Sequence, residues 1–211
     1  MVRRHADIET PGKRHPGRKL TESEFVAWCD EDTRAEWVDG EIFLMAPDNT
    51  YHNRIAGLIY KVMDEYAIEN KLGIAFFESI QLRLAGQKRR RQPDIVFVST
   101  AREQIIKDTY IDGAPDLIVE VVSPDSTSRD YREKFIEYEA AGVREYWIVD
   151  PLSKHVEAFA LGKEKHFIQL PEKSGKVSSK SLPGFFLKPE WLWSEPLPTV
   201  FKLLKEMGVK L

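Results

Sequence analysis

The sequence predicts an α/β domain in which helices flank a central mixed β-sheet. Two apolar runs separated by an Asp-Gly pair, within residues 35–46, indicate an antiparallel hairpin. Residues 50–70 carry apolar side chains at spacings of three and four, which indicates a long helix. Residues 116–149 have the pattern of strand, helix and strand, and the two strands of such a crossover pair in parallel. Because parallel and antiparallel pairs both occur, the predicted sheet is mixed.

The remaining elements follow from caps, turns and periodicity. Thr21 followed by Glu24 is a capping box and predicts a short helix within 20–30. Residues 116–122 are apolar apart from Asp116 and Glu120, which is typical of a central strand buried on both faces. Further strands are predicted at 74–77, 80–84, 94–98, 145–149, 156–161, 165–170 and 176–180, and further helices at 102–107, 126–142 and 197–207.

Length and composition indicate one globular domain of ordinary size. The chain has 211 residues, of which 42% are hydrophobic and 31% charged, so it can bury a core that folds without disulfides. A single cysteine, Cys29, excludes a disulfide framework within the chain and favours a reducing compartment. No apolar run approaches the roughly 20 residues needed to cross a bilayer, and no apolar signal segment is present. We therefore expect a cytoplasmic protein without membrane attachment.

The first 19 residues predict a basic, disordered arm that precedes a single domain at 20–211. Six basic residues face two acidic ones there, and proline and glycine interrupt the segment. Such an arm is either a solvated tail or a contact for nucleic acid. The net charge of the whole chain is −3, which argues against a surface built entirely for nucleic-acid binding.

Two acidic residues occupy informative places in neighbouring predicted strands. Asp94 opens one apolar run, and Glu120 lies inside the next. An ionised glutamate in an apolar strand costs several kcal/mol, so Glu120 is protonated, paired with an arginine, or bound to a metal. If the two carboxylates converge away from bulk water, they form a site for a hard cation such as Mg²⁺ or Mn²⁺.

Lys134 is the candidate cation beside these acids. It lies at the edge of an apolar ridge formed by Tyr131, Phe135 and Tyr138 on the predicted helix. An ammonium there either stabilises charge that develops on a phosphate or pairs with acids on its own helix.

Three further features have both a functional and a structural interpretation. His52, at the start of the long helix, either orients a water or phosphate or is a capping or surface residue. Glu36 on the hairpin either adds a third carboxylate to the site or forms a surface ion pair. A run of four cations directly before Asp94 either anchors a phosphate backbone or is a solvated hairpin loop. This run consists of Lys88, Arg89, Arg90 and Arg91.

Several segments together resemble the Uma-type restriction endonuclease family, which belongs to the PD-(D/E)XK nuclease superfamily. The resemblance covers roughly residues 20–187. Its most specific part is the apolar run at 115–124, followed by Asp130, Lys134, Tyr138 and the run at 145–151. Asp39-Gly40-Glu41, His52 and the segment at 91–94 match as well. The chain has no phosphate-binding P-loop, dinucleotide-binding glycine motif, nucleophile elbow or His-Glu-x-x-His zinc motif.

This resemblance implies a restriction-endonuclease-like core, namely a four-stranded mixed sheet flanked by helices with the acids at one edge. It implies that Asp94 is the first metal ligand and Glu120 the second. The lysine of the superfamily usually lies two residues after the second acid, where this chain has Val122. Lys134 on the following helix then has to supply the charge, and Tyr138 lines the same pocket.

The expected function is hydrolysis of DNA phosphodiester bonds by a Mg²⁺- or Mn²⁺-dependent endonuclease. Cutting both strands needs two active sites, so a homodimer is expected, with aromatic residues near Trp191 and Trp193 as a candidate interface. The alternative is a catalytically inactive protein of the same fold that binds nucleic acid or a protein partner. Val122 and the acidic net charge favour that alternative. A phosphodiesterase for small nucleotides is a third hypothesis.

Overall fold

A computed structural model describes residues 16–30, 33–45, 49–78, 80–84, 86–123 and 129–210. Most of the predicted basic arm, residues 1–15, lies outside the described residues. The division into an arm and a single domain at 20–211 therefore stays a prediction.

Helices and strands occur largely where the sequence predicts them. The helices are α1 (Glu22–Trp28), α2 (Thr50–Glu69), α3 (Lys134–Ala141), α4 (Pro189–Leu192) and α5 (Val200–Glu206), with a 3₁₀ helix at Thr100–Ile105 and a π-helical turn at Arg129–Glu133. The strands are β1 (Ala35–Val38), β2 (Glu41–Leu44), β3 (Gly73–Phe77), β4 (Gln81–Leu84), β5 (Arg89–Arg91), β6 (Ile95–Ser99), β7 (Tyr110–Asp112), β8 (Leu117–Val121), β9 (Glu145–Asp150), β10 (His155–Leu161), β11 (Phe167–Gln169), β12 (Val177–Ser178) and β13 (Phe186–Leu187).

The larger sheet has six strands in the order β11-β10-β9-β8-β6-β3. Strands β8 and β9 pair in parallel, as the predicted crossover requires, whereas the other neighbours pair antiparallel. Every residue of β8 is buried, which confirms that this strand is central. The mixed sheet flanked by helices confirms the predicted fold class.

A second, five-stranded sheet has the order β2-β1-β5-β4-β7. It contains the predicted hairpin, whose turn places Asp39 and Gly40 at φ values of +50° and +90°. A left-handed conformation at both central positions is the geometry that Asp-Gly favours. The interpretation of the basic run as a solvated loop is wrong for three of its four residues. Arg89–Arg91 form β5, which pairs with β1 on one side and β4 on the other.

Successive side chains of β6 and β8 point to opposite faces of the sheet, one towards α2 and the other towards α3. In β6 and β8, Ile95, Phe97 and Val119 pack in the core cluster that contains the buried face of α2. The intervening residues Val96 and Ile118 belong to a different cluster, which contains Tyr138 of α3. Side chains alternate between the two faces of a strand. Asp94 and Glu120 therefore lie on the same face as Val96 and Ile118, which is the face towards α3.

The C-terminal segment covers the α2 side of the larger sheet. Trp191 is only 6% exposed and belongs to the core there, and Trp193 packs against the same cluster. Trp191 is therefore not available for an interface, whereas an interface near the half-buried Trp193 stays a prediction. Within the described ranges, no helix combines the length and apolar character that a bilayer span requires.

Candidate active site

Asp94 and Glu120 lie side by side on the α3 face of the larger sheet. In the β6–β8 ladder Ile95 is opposite Val119, and continuing this antiparallel register by one residue places Asp94 opposite Glu120. Residues directly opposite each other have Cβ atoms about 4.5–5.5 Å apart, on the same face. Both residues are buried, with 6% and 2% exposure respectively. The structure thus brings the two acids together, away from bulk water.

Asp94 is held by the neighbouring strand and by the start of α2. Its Oδ2 accepts a hydrogen bond from the backbone N–H of Val121 at 2.6 Å. The same oxygen is 3.2 Å from Nε2 of His52. Asn49 caps α2 by accepting from the backbone N–H of His52, which fixes the first turn that carries the imidazole. His52 is therefore buried against Asp94, and surface exposure is excluded for it.

Glu120 is paired with a lysine and a tyrosine. Its Oε1 is 2.9 Å from Nζ of Lys134 and accepts a hydrogen bond from the hydroxyl of Tyr138 at 2.8 Å. Lys134 and Tyr138 are four residues apart on α3, so both reach the same face of the helix. Burial raises the pKa of Glu120 well above its ordinary value, against the lowering effect of Lys134.

Lys134 is a buried ammonium surrounded by carboxylates. Besides Glu120, its Nζ is 3.2 Å from Oδ1 of Asp130 and 3.9 Å from Oε1 of Glu36. Burial alone would lower the pKa of Lys134, but the surrounding carboxylates raise it above the ordinary value. The side chain is 5% exposed, so it is not part of a solvated helix surface. It provides a fixed positive charge next to the two acids.

Glu36 comes to the cluster from the second sheet. Its Oε2 is 2.6 Å from Nη1 of Arg91, and its Oε1 accepts from the backbone N–H of Gln92 at 3.1 Å. Burial would raise the pKa of Glu36, but the charges of Lys134 and Arg91 lower it overall. The surface-pair interpretation of Glu36 is therefore wrong, because it is a buried carboxylate that faces Lys134.

The arginines of the basic run are engaged in contacts within the protein. Arg91 also binds both carboxylate oxygens of Glu137, each at 2.8 Å. Arg89 pairs with Asp39 and Glu137, at 2.7 and 3.0 Å. Arg90 pairs with Glu22 at 2.9 Å, and Lys88 is exposed. Nucleic-acid binding by this run stays a prediction, but Arg91, at 1% exposure, lies beneath the surface.

Two acidic residues that sequence reasoning did not select also belong to this region. Asp130 is buried beside Lys134, and Glu137 joins α3 to Arg91. From the sequence, both are acids on the same predicted helix as Lys134, and Asp130 is also part of the family resemblance. A signal for Asp130 was available, since it precedes Lys134 by four residues and thus shares its helix face. No local signal identifies Glu137, because its partner comes from another sheet.

The donor set fits a divalent cation. In the described residues, no three or more His, Cys, Asp or Glu side chains are grouped as a metal site would require. Mg²⁺, however, is commonly held by one or two carboxylates, with waters and substrate phosphates completing the shell. The buried cluster holds more carboxylates than cations, and an added cation would offset this imbalance. These groups are Glu36, Asp94, Glu120 and Asp130, opposed by Lys134 and Arg91.

Comparison with known proteins places the chain in a family and supports its fold. The chain matches the family model Uma2, described as "Putative restriction endonuclease", over residues 22–190. Among solved structures it is similar to a putative nuclease belonging to DUF820 from Anabaena variabilis ATCC 29413. That similarity has a TM-score of 0.68 and 18% sequence identity, and covers 82% of this chain and 97% of the other. No curated protein matches the chain.

Proposed function

We propose, from the premise that this chain belongs to the Uma2 family of putative restriction endonucleases, that it is a metal-dependent DNA endonuclease. The observation that carries the proposal is the buried pair Asp94 and Glu120 on adjacent strands, with the Lys134 ammonium 2.9 Å from Glu120. Two carboxylates and one cation are the minimal equipment for hydrolysing a phosphodiester with a divalent metal.

Each residue of the cluster has a distinct role in this proposal. Asp94 and Glu120 hold Mg²⁺ or Mn²⁺, which when bound neutralises the scissile phosphate and activates a water. Lys134, kept protonated by its carboxylate neighbours, stabilises the charge that develops on the phosphate in the transition state. Val122, at the superfamily's usual lysine position, is 2% exposed in an apolar cluster, so Lys134 has to supply this charge.

His52 and Tyr138 support these ligands. His52 contacts Asp94, and Tyr138 donates to Glu120, so each orients one carboxylate for binding. Glu36 contributes through Lys134 because it is 3.9 Å from that ammonium. Double-strand cleavage needs two such sites, so we also propose a homodimer, and the single cysteine, Cys29, favours a reducing cytoplasm.

The direct test is cleavage of supercoiled plasmid DNA by the purified protein with Mg²⁺ or Mn²⁺. Asp94→Asn and Glu120→Gln should each abolish cleavage, and EDTA should abolish it in the wild type. Asp116→Asn is a matched control, because Asp116 is a buried aspartate beside β8 that binds Arg102, Arg144 and the backbone N–H of Ser99, outside the site. This control should retain cleavage. Cleavage that persists in both site variants would refute the assignment.

A non-catalytic protein of the same fold is the second candidate, and Val122 in place of a lysine is the observation that favours it. Calorimetric titration with Mn²⁺ separates the two. Absence of heat at millimolar Mn²⁺, with an intact circular dichroism spectrum, would favour the non-catalytic protein. If the protein binds metal and hydrolyses a small phosphodiester but does not cleave plasmid DNA, its substrate is a small nucleotide.

A further inference from the structure

We propose that Arg91 and Glu137 are positioning residues that hold Lys134 against Glu120. The inference rests on the proposed function only in treating Lys134 as a catalytic residue. It gives Arg91 a role different from nucleic-acid binding, and it gives Glu137 a role for the first time.

Four charged side chains form a chain of contacts between α3 and the second sheet, and the backbone of α3 joins the two ends of this chain into what we call the charge ring. It consists of Lys134, Glu36, Arg91 and Glu137. Glu36 lies between Lys134, at 3.9 Å, and Arg91, at 2.6 Å. Arg91 in turn binds Glu137 through two hydrogen bonds of 2.8 Å. Glu137 returns to α3 three residues after Lys134, which closes the ring.

Glu36 and Arg91, the two residues of the charge ring that belong to the second sheet, are neighbours on adjacent strands. In the β1–β5 ladder Trp37 is opposite Arg90, so the next position along the same register sets Glu36 opposite Arg91. The backbone N–H of Gln92 also donates to Glu36, which fixes this carboxylate further. The sheet therefore offers α3 a rigid, oriented pair rather than two mobile side chains.

Arg91 is chemically suited to the central place in the ring. Its planar guanidinium binds two carboxylates at once, through Nη1 to Glu36 and through Nε and Nη2 to Glu137. A lysine ammonium lacks this fixed fork. Because the side chain is 1% exposed, these contacts are poorly screened by solvent. The ring thus fixes the position of the first turn of α3, and with it the flexible four-carbon stem of Lys134.

The test uses Glu137→Gln, with Glu139→Gln on the same helix as a matched control. Glu139 binds His166 and the backbone of Phe167, outside the charge ring. Metal-free proteins are treated with formaldehyde and a borane reductant, well below their melting temperatures, and methylation of Lys134 is followed by peptide mass spectrometry. Lys134 should be protected in the wild type and in the control, and methylated about tenfold faster in Glu137→Gln. Glu137→Asp, which keeps the charge, is the second variant if glutamine impairs folding.

A purely structural role predicts a different result. It would lower the melting temperature of Glu137→Gln but leave Lys134 as protected as in the control, and that outcome would overturn the proposal. In DNA cleavage, Glu137→Gln should reduce kcat about tenfold in the wild type and less than about twofold in a Lys134→Met background. Equal losses in both backgrounds would also contradict it. If the wild type cleaves nothing, the proposed function fails, while the methylation result still decides the positioning role.

Discussion

Replacing Lys134 by methionine removes the buried ammonium and keeps an unbranched side chain of similar length. The ammonium is 2.9 Å from Glu120, 3.2 Å from Asp130 and 3.9 Å from Glu36, so the substitution leaves three buried carboxylates without their shared partner. Removing one member of a buried ion pair costs about 3–5 kcal/mol. For a chain of this size each kcal/mol lowers Tm by about 2–4 °C, so we expect a drop of about 6–20 °C.

The assay is thermal unfolding followed by circular dichroism, with and without Mn²⁺, alongside steady-state DNA cleavage. Mn²⁺ should raise the Tm of Lys134→Met more than that of the wild type, because the cation takes over the missing positive charge. Loss of a group that stabilises transition-state charge should reduce kcat by about 10²–10³-fold. Lys134→Arg, which keeps a charge, is the control and should lose less stability. An exposed ion pair contributes at most about 1 kcal/mol. A loss of stability smaller than this for Lys134→Met would refute the reasoning.

Three smaller effects follow from single contacts. Tyr138→Phe removes the hydroxyl that donates to Glu120 and should cost about 1.5–3 kcal/mol in urea unfolding; no loss would show that this hydrogen bond contributes nothing to stability. Glu36→Gln should destabilise the protein at pH 7. Folding lowers the pKa of Glu36. The ionised carboxylate therefore stabilises the folded protein fully above pH 4.5, the ordinary pKa, and this stabilisation is lost as the pH falls through the lower pKa of the folded state. The difference between wild type and variant should therefore shrink on acidification, and a constant difference would contradict this. Thr21→Ala removes the cap that accepts from the backbone N–H of Glu24 and should cost about 1 kcal/mol without changing cleavage.

Local rules predicted the elements whose signals lie within a few residues. The capping box of α1 and the Asp-Gly hairpin are present as predicted, because both depend on side chains adjacent to the turn. The parallel pairing of β8 and β9 follows from the crossover between them. An acid inside an apolar strand pointed to Glu120 because its burial has to be compensated.

Tertiary contacts explain what the sequence pattern missed. Strand β5 consists of three arginines and has no apolar periodicity, so its burial depends on acids from other elements. Local periodicity likewise indicates a continuous helix before Lys134, whereas the structure has a π-helical turn there that ends at Glu133. Trp191 packs into the core because the C-terminal segment folds back over α2.

Mn²⁺ binding, measured by calorimetry on the wild type, Asp94→Asn and Glu120→Gln, tests the central claim most directly. The claim is that one divalent ion is held between an aspartate and a glutamate that arrive on adjacent strands. We expect one ion per wild-type chain and a large loss of affinity in both variants, each with an unchanged circular dichroism spectrum. Undiminished binding in both variants, or none in a folded wild type, would contradict the account.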